Sequence, residues 1–177
     1  GNSRAEYQDR VPQSQITMVW NTTQWGTKDG VWLDLLSDVL AAGKNSRLYK
    51  KLVYEKQICP SVYAYVNYME ISGNFYIQAD VKPGKTVEEV EAAINEIMEE
   101  FLAKGPSEEE VNRVKASFFA NRLKGLERIG GFGGKSDLLA ENEVFGGSPD
   151  YYKKMLRWYN ETTAKNIHDV AKKYLSD

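Results

Sequence analysis

The stretch most suggestive of chemistry is "RIGGFGGKSDLL", Arg128 to Leu139, where Gly130, Gly131, Gly133 and Gly134 run into Lys135 and Ser136. Glycine followed by Lys-Ser is how a phosphate-binding loop ends, its backbone N–H groups wrapping the phosphates before the lysine reaches them. That loop requires a glycine at position 129, which is Ile129, and no Gly-x-Gly-x-x-Gly register fits, because Ser136 falls where the third glycine belongs. The segment also follows a helical pattern, whereas a phosphate loop follows a strand. The four glycines therefore read as a structural connector that breaks one helix, allows positive φ and lets backbone pack closely before the next helix. A peptide-facing loop is the alternative.

Other chemical candidates are few. His168 is the single histidine, set between Ile167 and Asp169 off the apolar face of its segment, and reads as a solvated surface residue. Cys59 is the single cysteine, which excludes an internal disulfide and a thiolate zinc cluster. A zinc site in this chain would have to be built from carboxylates, a poor donor set for that metal. The acid runs at 88–89, 99–100 and 108–110 lie at helix starts or on polar faces, where first-turn acids complement the helix dipole. No spacing brings two carboxylates together for acid–base work. Ser136 beside Asp137 has no histidine close in sequence, and Gly-x-Ser-x-Gly is absent. Tyr63, Tyr65, Tyr68 and Tyr76 form a dense aromatic group. Packing against a neighbouring domain is one reading; a peptide-binding surface is the other, with Tyr63, Tyr65 and Tyr76 as its candidate residues.

The elements that position these residues follow from periodicity. In "QITMVWNTTQ", Ile16, Met18 and Trp20 alternate with Thr17, Val19 and Asn21, the pattern of a half-buried strand. "SVYAYVNYM" (61–69) and "GNFYIQADV" (73–81) repeat it, and the short gap between them predicts an antiparallel hairpin. Trp32, Leu35, Leu36, Val39 and Leu40 recur at helical spacing, with Gly43 where a left-handed C-terminal cap falls. "TVEE" at 86–89 and "SEEE" at 107–110 are capping boxes, so two helices start there. The first buries Val90, Ala93, Ile94, Ile97 and Phe101, and the second Val111, Val114 and Phe118. "SPDYYKKMLRWY" predicts a helix capped by Ser148 with Pro149 at its first position, and "TAKNIHDVAKKYL" a last helix burying Ile167, Val170, Ala171 and Tyr174. This order predicts an α+β fold: a mostly antiparallel sheet covered on one face by helices, cut before its last strand. Residues 1–13 read as a flexible linker and 14–177 as one domain.

Composition excludes several functions. The chain has 177 residues, 42% hydrophobic and 27% charged, with net charge −2. Its lysines are scattered among acids, so no basic face tracks a nucleic-acid backbone. No apolar run approaches the roughly 18 residues of a membrane span.

Taken together, "AAGKNSRLYKKLVYEKQICPSVYAYV", the "FYI" strand, "GPSEEEVNRVKASF" and "GGFGGKSDLL…GSPDYY…TAKNIHDVAKKYL" resemble the non-catalytic domain of the pitrilysin or insulinase-like zinc metallopeptidases. "NSRLY" at 45–49 is the most specific short piece, and the likeness runs from about Ser14 to Leu175. Members of that family resemble a clamshell of two halves, each with two related α+β domains, enclosing a chamber where peptides are cut. The resemblance implies zinc in the preceding domain, on an inverted His-x-x-Glu-His motif that this sequence lacks, and no cofactor in this chain. In the half opposite the zinc, this type of domain presents an arginine and, seven residues on, a tyrosine that grip substrate. Aligned through Leu52, Glu55, Lys56, Ser61 and Val62, those positions are Val53 and Pro60. Valine donates no hydrogen bond, and proline has neither hydroxyl nor N–H.

The resemblance thus implies the second domain of the zinc-bearing half, a non-catalytic wall of the chamber. Its partners would be the zinc-bearing domain, the opposite half and peptide substrates, in a bacterial extracytoplasmic setting. Trp20 and Trp32 are candidates for contacts between domains. A scaffold homologue whose parent has lost catalysis is the alternative. Metal analysis of the purified chain is expected to find no stoichiometric zinc; about one tightly bound zinc per chain would contradict this reading.

Overall fold

The computed structural model of the chain describes residues 2–7, 13–126, 143, 146–148 and 150–176. Three strands, β1 (Gln15–Thr22), β2 (Val62–Tyr68) and β3 (Gly73–Asp80), form one antiparallel sheet in the order β1-β3-β2. The expected hairpin is β2–β3, and β1 pairs with the far edge of β3, Gln15 opposite Asp80 through to Thr22 opposite Gly73. Among the described residues the helices with defined bounds are α1 (Lys28–Ala41), α2 (Val87–Lys104), α3 (Glu108–Leu126), α4 (Tyr151–Glu161) and α5 (Ala164–Leu175), with a π-helical segment at Tyr49–Glu55. The α+β expectation holds.

Side-chain alternation decides where the core lies. Phe75, Ile77 and Ala79 of β3 are fully buried, and Ile16, Met18 and Trp20 of β1 and Ala64 and Val66 of β2 pack on the same side. The helices meet the sheet there: α1 lies against β2, while α2 and α5 lie against β1. α1 buries Val31, Leu33, Leu35, Leu36, Val39 and Leu40. It touches α3, α4 and α5 as well as the sheet, so it is apolar round most of its circumference, as an internal helix must be. Trp32 is only partly buried. At the sheet corner Gly73 is required, because a Cβ there would lie 2.3 Å from the carbonyl oxygen of Thr23.

The predicted caps form. Thr86 and Glu89 satisfy each other's backbone N–H groups at the start of α2, and Ser107 and Glu110 do the same ahead of α3. Gly43 has φ +78°, just past the C-terminus of α1. Ser148 does not cap α4. That helix begins at Tyr151 after Asp150, and the Ser148 hydroxyl instead accepts from the Asp150 N–H, closing the turn before it. Asp150 makes no side-chain cap either, its carboxylate being taken by Lys153 at 3.0 Å. His168 is not a solvated surface residue: its Nε2 sits 2.7 Å from the carbonyl of Leu102 near the end of α2. Gly105, at φ +73°, makes room for the ring, since a Cβ there would come within 2.8 Å of it.

"NSRLY" joins three elements. Ser46 is buried, with its hydroxyl on the carbonyl of Gly43, and Leu48 is fully buried. Arg47 forks onto Glu110, Nε to Oε1 at 2.7 Å and Nη2 to Oε2 at 2.8 Å, while Nη2 also reaches the Gly105 carbonyl and the guanidinium lies over Phe101. One cation therefore satisfies the C-terminal end of α2 and holds the capping acid of α3, a bidentate geometry lysine cannot reproduce. Burial pushes the Glu110 carboxyl up, but the donors from Arg47 and Ser107 outweigh it and hold it below the usual range.

Asp34 ties α1 to β2 and α4. Its Oδ2 accepts from the Tyr159 hydroxyl at 2.5 Å, and its Oδ1 lies 2.7 Å from the Tyr68 hydroxyl, which is also 2.7 Å from the Gly30 carbonyl. Tyr68 has one proton for two acceptors. A protonated Asp34 resolves the conflict by donating to Tyr68, which then donates to Gly30. Desolvation raises the Asp34 carboxyl to about 6 against the two tyrosine donors, with Asp38 adding to the rise. Asp38 is itself raised by burial to about 6, opposed by Arg113. A carboxyl raised on folding stabilises the fold fully below its unfolded pKa, and that contribution is lost as pH climbs through about 6. Asp34→Asn mimics the protonated acid. At pH 4 its stability should match the wild type, and at pH 8 it should exceed it by an order-of-magnitude ~1–3 kcal/mol. Urea unfolding at the two pH values checks this; a less stable variant at pH 8 would contradict it.

Candidate functional site

The side of the sheet away from the helices carries the candidate site. Because side chains alternate along a strand, the odd-numbered residues of β1 and β2 and the even-numbered residues of β3 all point there. The register sets them in rows. Thr17, Gln78 and Tyr63 form one, Val19, Tyr76 and Tyr65 the next, and Asn21, Asn74 and Asn67 the third, with Gln15 beside Asp80 at the end. Val19 is 49%, Tyr63 58% and Tyr65 41% exposed, unusual for residues of this size in strands.

The middle row is aromatic. Tyr65 and Tyr76, directly opposite on neighbouring strands, stack with ring centroids 4.9 Å apart and planes 11° from parallel. Such a pair is worth about 0.5–1.5 kcal/mol beyond its buried area. Amides frame it: Asn74 donates to Asn21 at 3.0 Å, Gln78 to Gln15 at 2.7 Å, and Gln15 to Asp80 Oδ1 at 2.9 Å. The other oxygen of Asp80 accepts from the Ser61 hydroxyl at 2.6 Å. The face thus offers ring surfaces, tyrosyl hydroxyls and amide donors and acceptors. It holds no pairing of nucleophile and base. Among the described residues, no group of three His, Cys, Asp or Glu side chains is placed to hold a metal ion.

The structure brings Tyr63, Tyr65 and Tyr76 together on this face and separates Tyr68 from them. Tyr68 is even-numbered in β2 and points into the helical layer, onto Gly30 and Asp34. Trp20 also lies on the core side, edge-on to Phe75 at 6.2 Å. Val53 packs against the core from the π-helical segment, and Pro60 lies exposed before β2, so neither position presents a donor. Gly130, Gly131, Gly133 and Gly134 lie outside the described residues. Sequence reasoning missed Val19, Asn21, Asn74 and Gln78 as parts of the surface. Their alternation with core residues was the available signal, but only the β1–β3 register shows which of them stand beside the tyrosines.

Fold and site together define an α+β domain whose sheet is covered by helices on one face and bare on the other, without metal-holding or nucleophilic groups on that bare face. Residues 1–118 match the family model described as the Peptidase M16 inactive domain, and the chain belongs to that family. It is 23% identical over 172 residues to the zinc protease PqqE of Helicobacter pylori, covering 97% of this chain and 38% of that protein. In fold it is similar to the crystal structure of a protease from Helicobacter pylori, with TM-score 0.82 and 19% identity over 95% of this chain and 39% of the other. It is similar too to the inactive peptidase domain of a candidate zinc protease from Bordetella parapertussis, with TM-score 0.77 and 18% identity over 94% of this chain and 87% of the other. The chain thus spans about two-fifths of the length of the Helicobacter pylori proteins it matches. The expected kinship with non-catalytic domains of zinc metallopeptidases is borne out.

Because the stacked tyrosines lie on the surface, truncating them should leave the fold intact. Tyr65→Ala or Tyr76→Ala is expected to lose about 0.5–1.5 kcal/mol of stacking beyond the area each ring buries, short of the about 3–5 kcal/mol for Phe75→Ala on the buried face. Thermal unfolding of the three variants checks the contrast; equal losses would contradict the assignment of faces.

Proposed function

We propose that this chain is a chamber-forming, non-catalytic domain of a larger zinc-dependent metalloendopeptidase, and that its bare sheet face lines the space in which peptides are held. The observation carrying the proposal is that Val19, Tyr65 and Tyr63 are exposed around the half-buried Tyr76 on a sheet whose other face packs against helices. A domain of monomer type would gain by making such positions charged. Large apolar and aromatic groups left in the open mark a surface meant to meet a partner.

Hydrolysis belongs to the preceding zinc-bearing domain, where a metal-bound water would attack the peptide carbonyl. This chain's own residues position peptide: tyrosine rings stack on side chains, while the amides of Asn21, Asn74, Gln15 and Gln78 pair with polar groups. Zinc is expected in that preceding domain and not in this chain. The proposal includes the opposite clamshell half as a partner and a bacterial extracytoplasmic setting, in keeping with the bacterial relatives.

The test is steady-state kinetics on the intact peptidase that contains this domain. Tyr65→Ala with Tyr76→Ala should raise KM for a peptide substrate by about five- to twentyfold, as expected for about 1–2 kcal/mol of lost binding, with kcat within about twofold. An unchanged KM would contradict a peptide-facing role. An intact parent that binds peptide but never cleaves it would point to the scaffold reading.

A further inference from the structure

We propose, building on the peptide-facing reading above, that this face selects extended segments that are uncharged and carry aromatic side chains at positions i and i+2, and that it discriminates against segments dense in charge. The chain is 27% charged overall, yet the eleven outward positions of the three strands include one ionisable acid, Asp80, and no lysine, arginine or histidine. Both oxygens of Asp80 are already occupied, by Ser61 and Gln15. The contrast with α2 is sharp, for its outer surface carries the exposed Glu88, Glu89, Glu96, Glu99 and Glu100.

A charged peptide side chain pressed onto the tyrosine rows would lose water and find no ionic partner among them, since the one acid of the face, Asp80, stands at the end of the sheet with both oxygens already hydrogen-bonded. An aromatic side chain finds ring surface. Tyr63 and Tyr65 stand two residues apart on one side of β2, about 6.8 Å at the rise of an antiparallel strand. The i and i+2 side chains of an extended peptide have the same spacing and also share one side. Amide side chains around the rings pair with a peptide's own polar groups without demanding charge. Recognition by stacking and neutral hydrogen bonds is also nearly independent of ionic strength, unlike attraction between opposite charges.

The experiment titrates the chain, followed by NMR shifts of Tyr63, Tyr65 and Tyr76, with three peptides of equal length: one neutral with alternating aromatics, one acidic and one basic. The neutral peptide should bind about tenfold or more tighter than either charged one. Its Kd should change less than about twofold between about 50 and 500 mM salt. Tyr65→Ser with Tyr76→Ser should weaken it by about five- to twentyfold, with unchanged circular dichroism. If a charged peptide binds equally well and shifts the same tyrosines, the selectivity is overturned and the peptide-facing role stands. If no peptide shifts these residues at about millimolar concentration, both are overturned.

Discussion

The period of two along β3, held in register by a strand on either side, is the constraint from which the other features follow. Phe75, Ile77 and Ala79 are fully buried on one side, and Asn74, Tyr76, Gln78 and Asp80 stand on the other. A shift of one residue would exchange the two sets completely. Exposing Phe75 and Ile77 alone would cost about 1.5–3 kcal/mol each, a large share of the 5–15 kcal/mol that stabilises a typical domain. The same restriction that secures the core therefore fixes Tyr65 beside Tyr76 on the bare face. A surface built this way needs no loop to position it.

On the helical side, polar groups do the fastening that apolar burial alone leaves unspecific. Arg47 joins the end of α2 to the start of α3 through Glu110 and Gly105, and Asp34 joins α1 to β2 and α4 through Tyr68 and Tyr159. The two acids respond to pH in opposite senses. Glu110 is held below its usual range by donors, so its contribution is lost as pH falls through its folded pKa. Asp34 is raised by desolvation, so its contribution is lost as pH rises through about 6. The two effects fall in different windows: Glu110 weakens the fold on the acid side of the ordinary carboxylate range, and Asp34 weakens it from that range up to about 6.

The parts of this architecture legible in the sequence are those set by neighbours in the chain. Alternation located all three strands, and the reciprocal Ser/Thr and Glu pairs at 86–89 and 107–110 located two helix starts, because each needs residues only three apart. The short gap between β2 and β3 gave their pairing. What stayed hidden depends on distant partners. The Arg47–Glu110 fork spans 63 residues, and His168 meets Leu102 across 66. Tyr68 looked like its tyrosine neighbours until strand parity placed it inside. Ser148 and Pro149 carried a sound helix-start signal, but Ser148 closes the preceding turn and Asp150 pairs with Lys153. The face itself was half legible: its tyrosines stood out by composition, while Val19 and the amides needed the register.

A family of inactive domains attached to zinc proteases poses the question of what a wall without chemistry contributes. The answer proposed above is a neutral, aromatic sheet surface that would hold substrate while the metal acts elsewhere. Photo-crosslinking tests this most directly. A benzophenone amino acid is placed at position 65 of the intact peptidase, rendered unable to cleave at its zinc motif, and illuminated with bound peptide. The account predicts that the peptide itself is captured at position 65 and not from a control position on the outer side of α2, such as Glu96. Capture of a neighbouring domain in place of peptide at position 65 would contradict it.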